Sequence, residues 1–167
     1  NATLKRAYIT DNKNKVGEKH LLDQAPTKTS YDTTHGQFHP VFRELLETKG
    51  YYDIFLFDMN GELVYSVFKE ADFATNFSNS GDEWKNTDLG KAFRAALKQA
   101  PNTINFFDFK PYSPSFDAPA AFMSSPVYMD EKQIGVAAMQ MPIGRINHIM
   151  NEKTGLGETG ETIIVGE

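Results

Sequence analysis

Residues 54–67 read IFLFDMNGELVYSV, two apolar runs on either side of a short polar turn. Asn60 and Gly61 supply the positive φ that a tight hairpin turn needs, so this stretch predicts a strand, a turn and a second strand. Residues 54–57 are all apolar, whereas a sheet with one face in water would alternate apolar and polar residues. The sequence therefore predicts an antiparallel sheet that is covered on both faces.

Three further apolar runs predict strands at residues 104–109, 120–128 and 134–141, and the polar loop 129–133 joins the last two as a hairpin. Together these segments predict an α+β fold built on an antiparallel sheet of about five strands. Helices are expected to cover one face of this sheet. The long excursion 69–101, a loop followed by a short helix, is expected to cap the other face.

Helical patterns precede the sheet. Leu4, Tyr8 and Val16 mark the inward face of an N-terminal helix. Pro40 suits the first position of a second helix, which Gly50 ends. The chain therefore begins with a helical segment that leads into the sheet.

Two more helices are predicted in the second half of the chain. Thr87 or Asp88 can cap a helix whose apolar stripe covers 89–97. Pro142 opens a C-terminal helix over residues 143–153. The first of these helices belongs to the cap, and the second leads away from the last strand.

The composition of the chain excludes several classes of protein. It has 167 residues, 40% hydrophobic and 13% aromatic, which indicates a globular domain. The absence of Cys excludes disulfides, thiolate nucleophiles and Cys-zinc sites. No run approaches the roughly 18 apolar residues of a membrane span. The net charge of −5 argues against a nucleic-acid partner.

The charge is divided unevenly along the chain. Residues 1–50 hold 8 basic and 6 acidic side chains, a balance of +2, and residues 51–167 hold 9 and 16, a balance of −7. The composition shifts at the same place, from a polar region to short apolar runs. We therefore expect a helical segment over 1–50, a core domain over 51–154, and a connector over 155–167 toward a further module or a membrane span.

Two local motifs invite a chemical interpretation. Residues 155–160 match the dinucleotide pattern GxGxxG, but a helix precedes them and a strand follows, which is the reverse of the required order. His35 and His39 have the i, i+4 spacing of a metal site. Because Pro40 places His39 at or before the predicted helix start, the two rings need not share a face, which favours capping or hydrogen bonding.

The sequence supports a catalytic site no better than it supports a dinucleotide or metal site. Ser124, Ser125, His148 and Asp108 could form a hydrolase triad, but neither serine lies in a G-x-S-x-G elbow. The 22 acidic residues have no context that singles out a catalytic pair. We therefore predict no enzymatic activity, no metal and no cofactor.

Aromatic and polar side chains concentrate around the long loop and the predicted sheet. Aromatic walls with a few polar groups are what a small-molecule pocket requires, although each aromatic fits a plain core equally well. Asp108 interrupts an aromatic run and would need a partner if buried, either a ligand ammonium, Arg94 or Lys110. The ligand-binding candidates are Tyr65, Phe73, Trp84, Phe107, Asp108, Tyr112, Phe122, Ser124 and Gln140, with Phe116 in the same region.

Several strings of the sequence resemble a known family. They are HPVFRE at 39–44, GYYDIFL at 50–56, VYSVFKEADFAT at 64–75, APAAF at 118–122 and QMPIGRIN at 140–147. These strings resemble the extracytoplasmic Cache (PAS-like) sensor domains of bacterial methyl-accepting chemotaxis proteins and related receptor kinases and cyclases. The resemblance covers nearly the whole chain.

The resemblance implies a PAS-like sheet whose capping loop holds a small ligand. It also implies the periplasmic part of a bacterial inner-membrane receptor for chemotaxis or related signalling, anchored in the membrane and dimerising through its terminal helices. It does not transfer a ligand, because Trp84 and Arg94 are too far apart for the signature of amino-acid-binding Cache domains. The alternatives are a ligand-free dimerisation or partner-docking module of a receptor histidine kinase or cyclase, and a PAS domain with haem or flavin, for which no axial ligand is found.

Overall fold

The computed structural model describes residues 2–152, 154–155 and 159–163. Its centre is a five-stranded antiparallel sheet in the order β2-β1-β5-β4-β3. The strands are β1 (Asp53–Asp58), β2 (Leu63–Ser66), β3 (Asn105–Tyr112), β4 (Ala118–Met129) and β5 (Lys132–Pro142). The α+β fold and the antiparallel sheet expected from the sequence are confirmed.

Helices lie before, within and after the series of strands. They are α1 (Ala2–Lys5), which continues as a π-helical turn at Arg6–Thr10, α2 (Ser30–Lys49), α3 (Asp88–Ala96) and α4 (Ile143–Met150). The hydroxyl of Thr87 accepts a hydrogen bond from the amide of Gly90 and so caps α3, as predicted. Val16 is 73% exposed, so its predicted place on an inward helical face is wrong.

Strand β1 shows why residues 54–57 do not alternate in polarity. Phe55 and Phe57 face the core formed with α3, where they meet residues such as Phe93. Ile54 faces the opposite side and packs with Leu46 of α2. Because both faces of the strand are buried, both faces require apolar side chains.

The turn between β1 and β2 is closed by Asp58 and Gly61. The Asp58 carboxylate accepts hydrogen bonds from the amides of Asn60 and Glu62, each at 2.9 Å. Gly61 has a φ of 90°, and a Cβ at this position would lie 2.7 Å from the amide nitrogen of Ser78. The predicted tight turn is therefore confirmed, with the positive φ at Gly61 and not at Asn60.

Helix α2 begins at Ser30, so its predicted start at Pro40 is wrong. The Thr29 hydroxyl accepts from the amide of Asp32, and the Asp32 carboxylate accepts from the amide of Thr29, which makes a capping box. Pro40 lies inside the helix, where it removes one backbone hydrogen bond. The helix continues through Pro40, and His35 and His39 are buried on one of its faces.

The C-terminal part of the chain leaves several predictions untested. The GxGxxG pattern at 155–160 and the strand predicted after it lie largely outside the described residues. The division into segments 1–50, 51–154 and 155–167 stays a prediction. Within the described ranges, no helix is both long enough and apolar enough to cross a membrane.

Candidate functional site

One end of the sheet carries a set of buried polar side chains. Strand β1 begins there with Asp53, β2 ends there with Ser66, and Tyr112 and Gln140 lie near the ends of β3 and β5. The segment that follows β2, residues 69–74, closes this end and contributes further charged groups. We refer to it as the 69–74 segment.

Tyr112 joins the sheet to the 69–74 segment. Its hydroxyl donates a hydrogen bond of 2.5 Å to Oδ2 of Asp72, which is fully buried. Burial raises the pKa of Asp72 to about 7, although the hydrogen bond from Tyr112 acts in the opposite direction. The other oxygen of Asp72 has no hydrogen-bond partner among the described residues.

Glu70 makes a second connection between the same segment and the sheet end. It accepts hydrogen bonds from the hydroxyls of Tyr52 at 2.8 Å and Ser115 at 2.7 Å. Ser115 in turn accepts a hydrogen bond of 3.1 Å from the amide of Gln140. Burial raises the pKa of Glu70, and the two hydroxyl donors counteract that rise.

A cleft of about 240 Å³ opens beside Tyr112, between the N-terminus of α3 and strand β3. We call it the α3–β3 cleft. Tyr112, Ala120 and Phe122 contribute apolar surface to it, and charged and polar groups complete the lining. The remaining lining residues are Asn86, Thr87, Asp88, Lys91, Lys110, Pro111 and Ser113.

The charged groups of the α3–β3 cleft are paired with one another. The Asp88 carboxylate lies 2.7 Å from Nζ of Lys91 and 3.3 Å from Nζ of Lys110. Burial acts to raise the pKa of Asp88, but the hydrogen bonds and charges of the two lysines lower it overall. The lysine side chains are 50% and 66% exposed. The cleft therefore offers accessible ammonium groups next to an apolar wall, an arrangement that suits a small molecule with an ionised group.

The candidates named from the sequence occupy different places. Tyr112 and Phe122 line the α3–β3 cleft. Trp84 and Phe107 are partly buried against the core that lies under α3. Ser124 is buried in the sheet and donates to the carbonyl of Ala92 at 2.8 Å, a bond that ties β4 to α3.

The remaining candidates lie apart from the cleft lining. Tyr65, Phe73 and Gln140 are buried around the polar sheet end. Asp108 and Phe116 are exposed, so the condition under which Asp108 would need a partner is not met. The two cations considered for Asp108 are engaged elsewhere: Lys110 pairs with Asp88, and Arg94 donates to the carbonyls of Phe77 and Lys85.

His35 and His39 do share a face of α2, contrary to the interpretation based on Pro40. Their rings stack with centroids 4.4 Å apart. Nδ1 of His39 meets the hydroxyl of Tyr65 at 2.7 Å, and Nε2 donates to the carbonyl of His20 at 2.7 Å. The role is therefore hydrogen bonding. Among the described residues, no cluster of three or more His, Asp or Glu could hold a metal ion.

Sequence reasoning did not name Asp88, Lys91 or Lys110 as binding residues: it considered Asp88 only as a helix cap and Lys110 only as a partner for Asp108. The i, i+3 spacing of Asp88 and Lys91 at the start of a predicted helix was the available local signal. Lys110 meets them only through the tertiary fold, in a stretch of β3 where the register against β4 shifts. No sequence pattern would have brought the three together.

The antiparallel sheet, with the long helix α2 on one face and a loop with the short helix α3 on the other, is a fold that solved sensor domains of bacterial receptors share. The resemblance found in the sequence is thus confirmed at the level of the fold. The sensor domain of the V. cholerae histidine kinase DctB matches with a TM-score of 0.55 and 18% identity, over 91% of this chain and 54% of that one.

Two further structures show the same fold. The ligand-binding domain of the Campylobacter jejuni chemoreceptor Tlp3 in complex with L-valine has a TM-score of 0.50 and 16% identity, over 73% of this chain and 46% of that one. The E. coli DcuS sensor domain has a TM-score of 0.50 and 16% identity, over 82% of this chain and 96% of that one. The chain spans about half the length of the DctB and Tlp3 domains. No family model and no curated protein sequence matches it.

Proposed function

We propose that this chain is the periplasmic sensing domain of a bacterial inner-membrane receptor for chemotaxis or related signalling. In this proposal it binds a small charged organic molecule in the α3–β3 cleft and catalyses no reaction. The observation that carries the proposal is the cleft itself, an apolar wall of Tyr112 and Phe122 beside the ionised groups of Asp88, Lys91 and Lys110. The fold shared with bacterial sensor domains supports it.

The contacts around the cleft suggest how binding could be transmitted. A ligand in the cleft touches Tyr112, whose hydroxyl is bonded to Asp72 in the 69–74 segment. Phe73 of that segment packs edge-on against Tyr8 in the N-terminal segment, with centroids 6.3 Å apart. A ligand that prefers one arrangement of these groups shifts the population toward it, and the N-terminal segment moves with it.

Thermal unfolding of the chain against a panel of compounds tests the proposal. The panel contains amino acids including L-valine, organic acids, amines and purines. A ligand at 100 times its Kd stabilises the folded state by about 2.7 kcal/mol, which raises Tm by several degrees. A panel without any stabilising compound contradicts the proposal and favours the ligand-free docking module.

Variants then test whether the ligand occupies this cleft. Lys110→Met and Lys91→Met each remove an ammonium group of the cleft lining, and each is expected to weaken the binding of a ligand with an anionic group about tenfold or more. Lys98→Met is the matched control, because Lys98 is exposed just beyond α3 and does not line the cleft. Equal affinities in all three variants would place the ligand elsewhere.

The outward face of α2 favours association with a second copy of the chain. Phe38, Val41 and Leu45 are 49%, 61% and 36% exposed, although they are large and apolar. Thr34 and Thr48 extend the row in both directions. Steps of four and three residues alternate along it, which is the spacing by which two helices pack as a coiled coil. We therefore propose a dimer in which α2 pairs with α2.

Sedimentation across micromolar to millimolar concentration tests this dimer. The unmodified chain is expected to associate, and the double variant Phe38→Ser with Leu45→Ser is expected to stay monomeric. Ile149→Ser is the control, since Ile149 is an equally apolar residue, 70% exposed, on α4. Association that survives the double variant would exclude α2 as the interface.

A further inference from the structure

The face of the sheet that carries α2 is only partly covered by this helix. A groove of about 250 Å³ runs over strands β4 and β5 on that face. Its apolar walls come from Tyr51, Ile104, Met123, Ala137 and Met139, and two serines complete the lining. None of these residues carries a charge, and Ile104 is 69% exposed. We call this feature the sheet groove.

The register of the strands shows that the sheet groove and α2 lie on the same face. Met139 of β5 pairs with Ile54 of β1 and with Met123 of β4, so the three side chains point to one side of the sheet. Ile54 packs with Leu46 of α2, and Met139 packs against the same cluster. Met139 therefore has α2 on one side and the sheet groove on the other.

The loop that contains His20 and Asp23 occupies one flank of α2. Arg43 donates hydrogen bonds to the carbonyl of His20 at 2.9 Å and to the carboxylate of Asp23 at 2.7 Å. The His20 ring packs against Phe68, which follows the edge strand β2, with centroids 4.4 Å apart. This flank of α2 thus lies on the side of β2, so the opposite flank lies on the side of β5 and the sheet groove.

The exposed apolar residues of α2 lie on the flank that borders the sheet groove. They are Phe38, Val41 and Leu45, and we call them the α2 row. With 3.6 residues per turn, they lie about 160° to 220° around the helix from Arg43. Tyr51, which follows α2 closely in the chain, lines the groove itself. The α2 row and the sheet groove therefore form two walls of one concave apolar surface.

The α2 row alone is small for a stable dimer interface. Its three side chains leave roughly 300 Å² accessible on each chain, whereas a specific interface buries about 800 Å² per partner. Ile104 and Phe106, which are 69% and 59% exposed, add roughly as much again. Phe106 pairs with Met123 and so lies on the same face of the sheet. Together the two surfaces approach the size that a stable dimer needs.

The absence of charge on both surfaces restricts what can cover them. Positions 34, 38, 41, 45 and 48 of α2 are uncharged, whereas Arg43, Glu44 and Glu47 lie outside this series. A charged side chain placed on the sheet groove would be buried without a partner, which is costly. The α2 row of a second copy is a surface that meets this requirement.

We propose, building on the α2 dimer described above, that the sheet groove of each chain receives α2 of the other. The spacing of the elements supports this position. Two packed helices lie about 8–10 Å apart, and two strand spacings amount to about 9.5 Å. Because α2 packs over β1, a helix that packs beside it on the groove side lies over β5 and β4, where the sheet groove runs.

A two-fold axis parallel to the paired helices satisfies both contacts. It places the two sheets on opposite sides of the helix pair, whereas an axis along the sheet normal would make the sheets collide. Val41 lies farther around the helix from the buried Leu46 than Phe38 or Leu45 does, and it is the most exposed of the row. Val41 thus reaches the partner's sheet groove, and the other two residues meet the partner's helix.

Isotope-filtered NMR of the unmodified chain is the first test. A millimolar mixture of unlabelled chain and chain with isotope-labelled methionine is expected to show contacts from the Met123 and Met139 methyl groups to Val41 of the other copy. Met59, which is exposed in the β1–β2 turn, should show none. A dimer without these contacts overturns the inference and leaves the α2 dimer intact. A chain that stays monomeric contradicts both.

Sedimentation of groove variants is the second test. Ile104→Ser with Phe106→Ser is expected to raise the dimer Kd about a hundredfold, because each substitution acts twice in a symmetric interface. Both residues are exposed, so the variant should keep its fold. The matched control is Ile149→Ser with Phe116→Ser, at residues that are 70% and 69% exposed outside the groove. If both double variants dimerise as the unmodified chain does, the groove lies outside the dimer and the inference fails.

Discussion

Tyr112 and Asp72 are joined by a hydrogen bond of 2.5 Å between positions 40 residues apart in the sequence. The ring of Tyr112 also lines the α3–β3 cleft and packs edge-on against Phe122, with centroids 5.0 Å apart. One side chain therefore contacts the cleft, the core and the 69–74 segment. This makes Tyr112 a short physical connection between the proposed binding site and the segment that contacts Tyr8.

Removal of the Tyr112 hydroxyl should destabilise the domain in a pH-dependent way. Tyr112→Phe leaves both oxygens of Asp72 without a donor, which costs about 1–3 kcal/mol of unfolding free energy. Because burial raises the pKa of Asp72 to about 7, the loss should be larger at about pH 8.5, where the carboxyl is ionised, than at about pH 5.5. Urea unfolding at the two pH values measures both effects.

Tyr128→Phe is the control for that experiment. The Tyr128 hydroxyl donates to the carbonyl of Gln99 at 3.2 Å in a half-buried position, so its loss should cost less and show no such pH dependence. If Tyr112→Phe lowers the unfolding free energy equally at both pH values, the charge of Asp72 does not strengthen its hydrogen bond with Tyr112.

The sheet could be predicted because its sequence signals are local. Residues 54–67 contain both strands and the turn between them, and their unbroken apolar run indicates burial on two faces. The start of helix α2 is harder to predict from the sequence. Pro40 suits the first position of a helix, but a proline is also tolerated inside a helix when other contacts compensate for the missing hydrogen bond. The decisive signal, the capping box of Thr29 and Asp32, lies upstream and is easily overlooked.

The candidate site was predictable only in part. Tyr112 and Phe122 could be named because aromatic residues on a predicted sheet are natural pocket walls. The charged members could not, because Asp88 and Lys110 come from different elements and meet only in three dimensions. Lys69 is a case of its own: a lysine is expected at the surface, and its burial depends on rings from three separate segments.

Gly135 should be intolerant of any side chain. It pairs with Asp58 across β1 and β5, and a Cβ at this position would lie 2.3 Å from the carbonyl oxygen of Phe57. Gly135→Ala must therefore separate two central strands, and we expect it to lower the unfolding free energy by at least about 2 kcal/mol. Gly144→Ala is the control, since a Cβ there has no neighbour within 4 Å and alanine favours the helix. Thermal unfolding should separate the two variants, and similar Tm values would contradict the close approach.

His39 should make the domain sensitive to acid. Burial lowers its pKa from 6.5 to about 4, so between these values the unfolded chain binds a proton that the folded chain does not. Its contribution to stability is therefore complete above pH 6.5 and is lost as the pH falls toward 4, by up to about 3 kcal/mol.

His39→Gln isolates this contribution. The variant should be less stable than the unmodified chain at pH 7, because it loses the hydrogen bonds to Tyr65 and His20, and the difference should narrow at about pH 5. The carboxyl groups titrate in both proteins, so their effect cancels in the comparison. His148→Gln, at an exposed histidine, should leave the free energy of unfolding unchanged at both pH values. A difference that stays constant with pH would show that His39 titrates normally.

Asp32 should hold the N-terminal segment against the start of α2. Its buried carboxylate accepts hydrogen bonds from the hydroxyls of Tyr8 at 3.0 Å and Thr27 at 2.5 Å, and from the amide of Thr29 at 2.8 Å. Burial favours the neutral acid, but these donors lower the pKa of Asp32 overall. The stabilisation that the Asp32 carboxylate gives the folded state is therefore present at neutral pH, and it is lost as the pH falls through the pKa of Asp32 in the folded chain.

Asp32→Asn brings an amide donor toward groups that already donate, so we expect a loss of about 2–3 kcal/mol at pH 7 and faster proteolysis within residues 2–22. The control is Asp11→Asn, because the Asp11 carboxylate is exposed and its one described contact is with the Arg6 side chain at 3.1 Å, a pair worth less than about 1 kcal/mol. Urea unfolding and limited proteolysis report the two effects separately. If Asp32→Asn lowers stability while residues 2–22 remain resistant, the packing of the Tyr8 ring holds the N-terminal segment without the carboxylate.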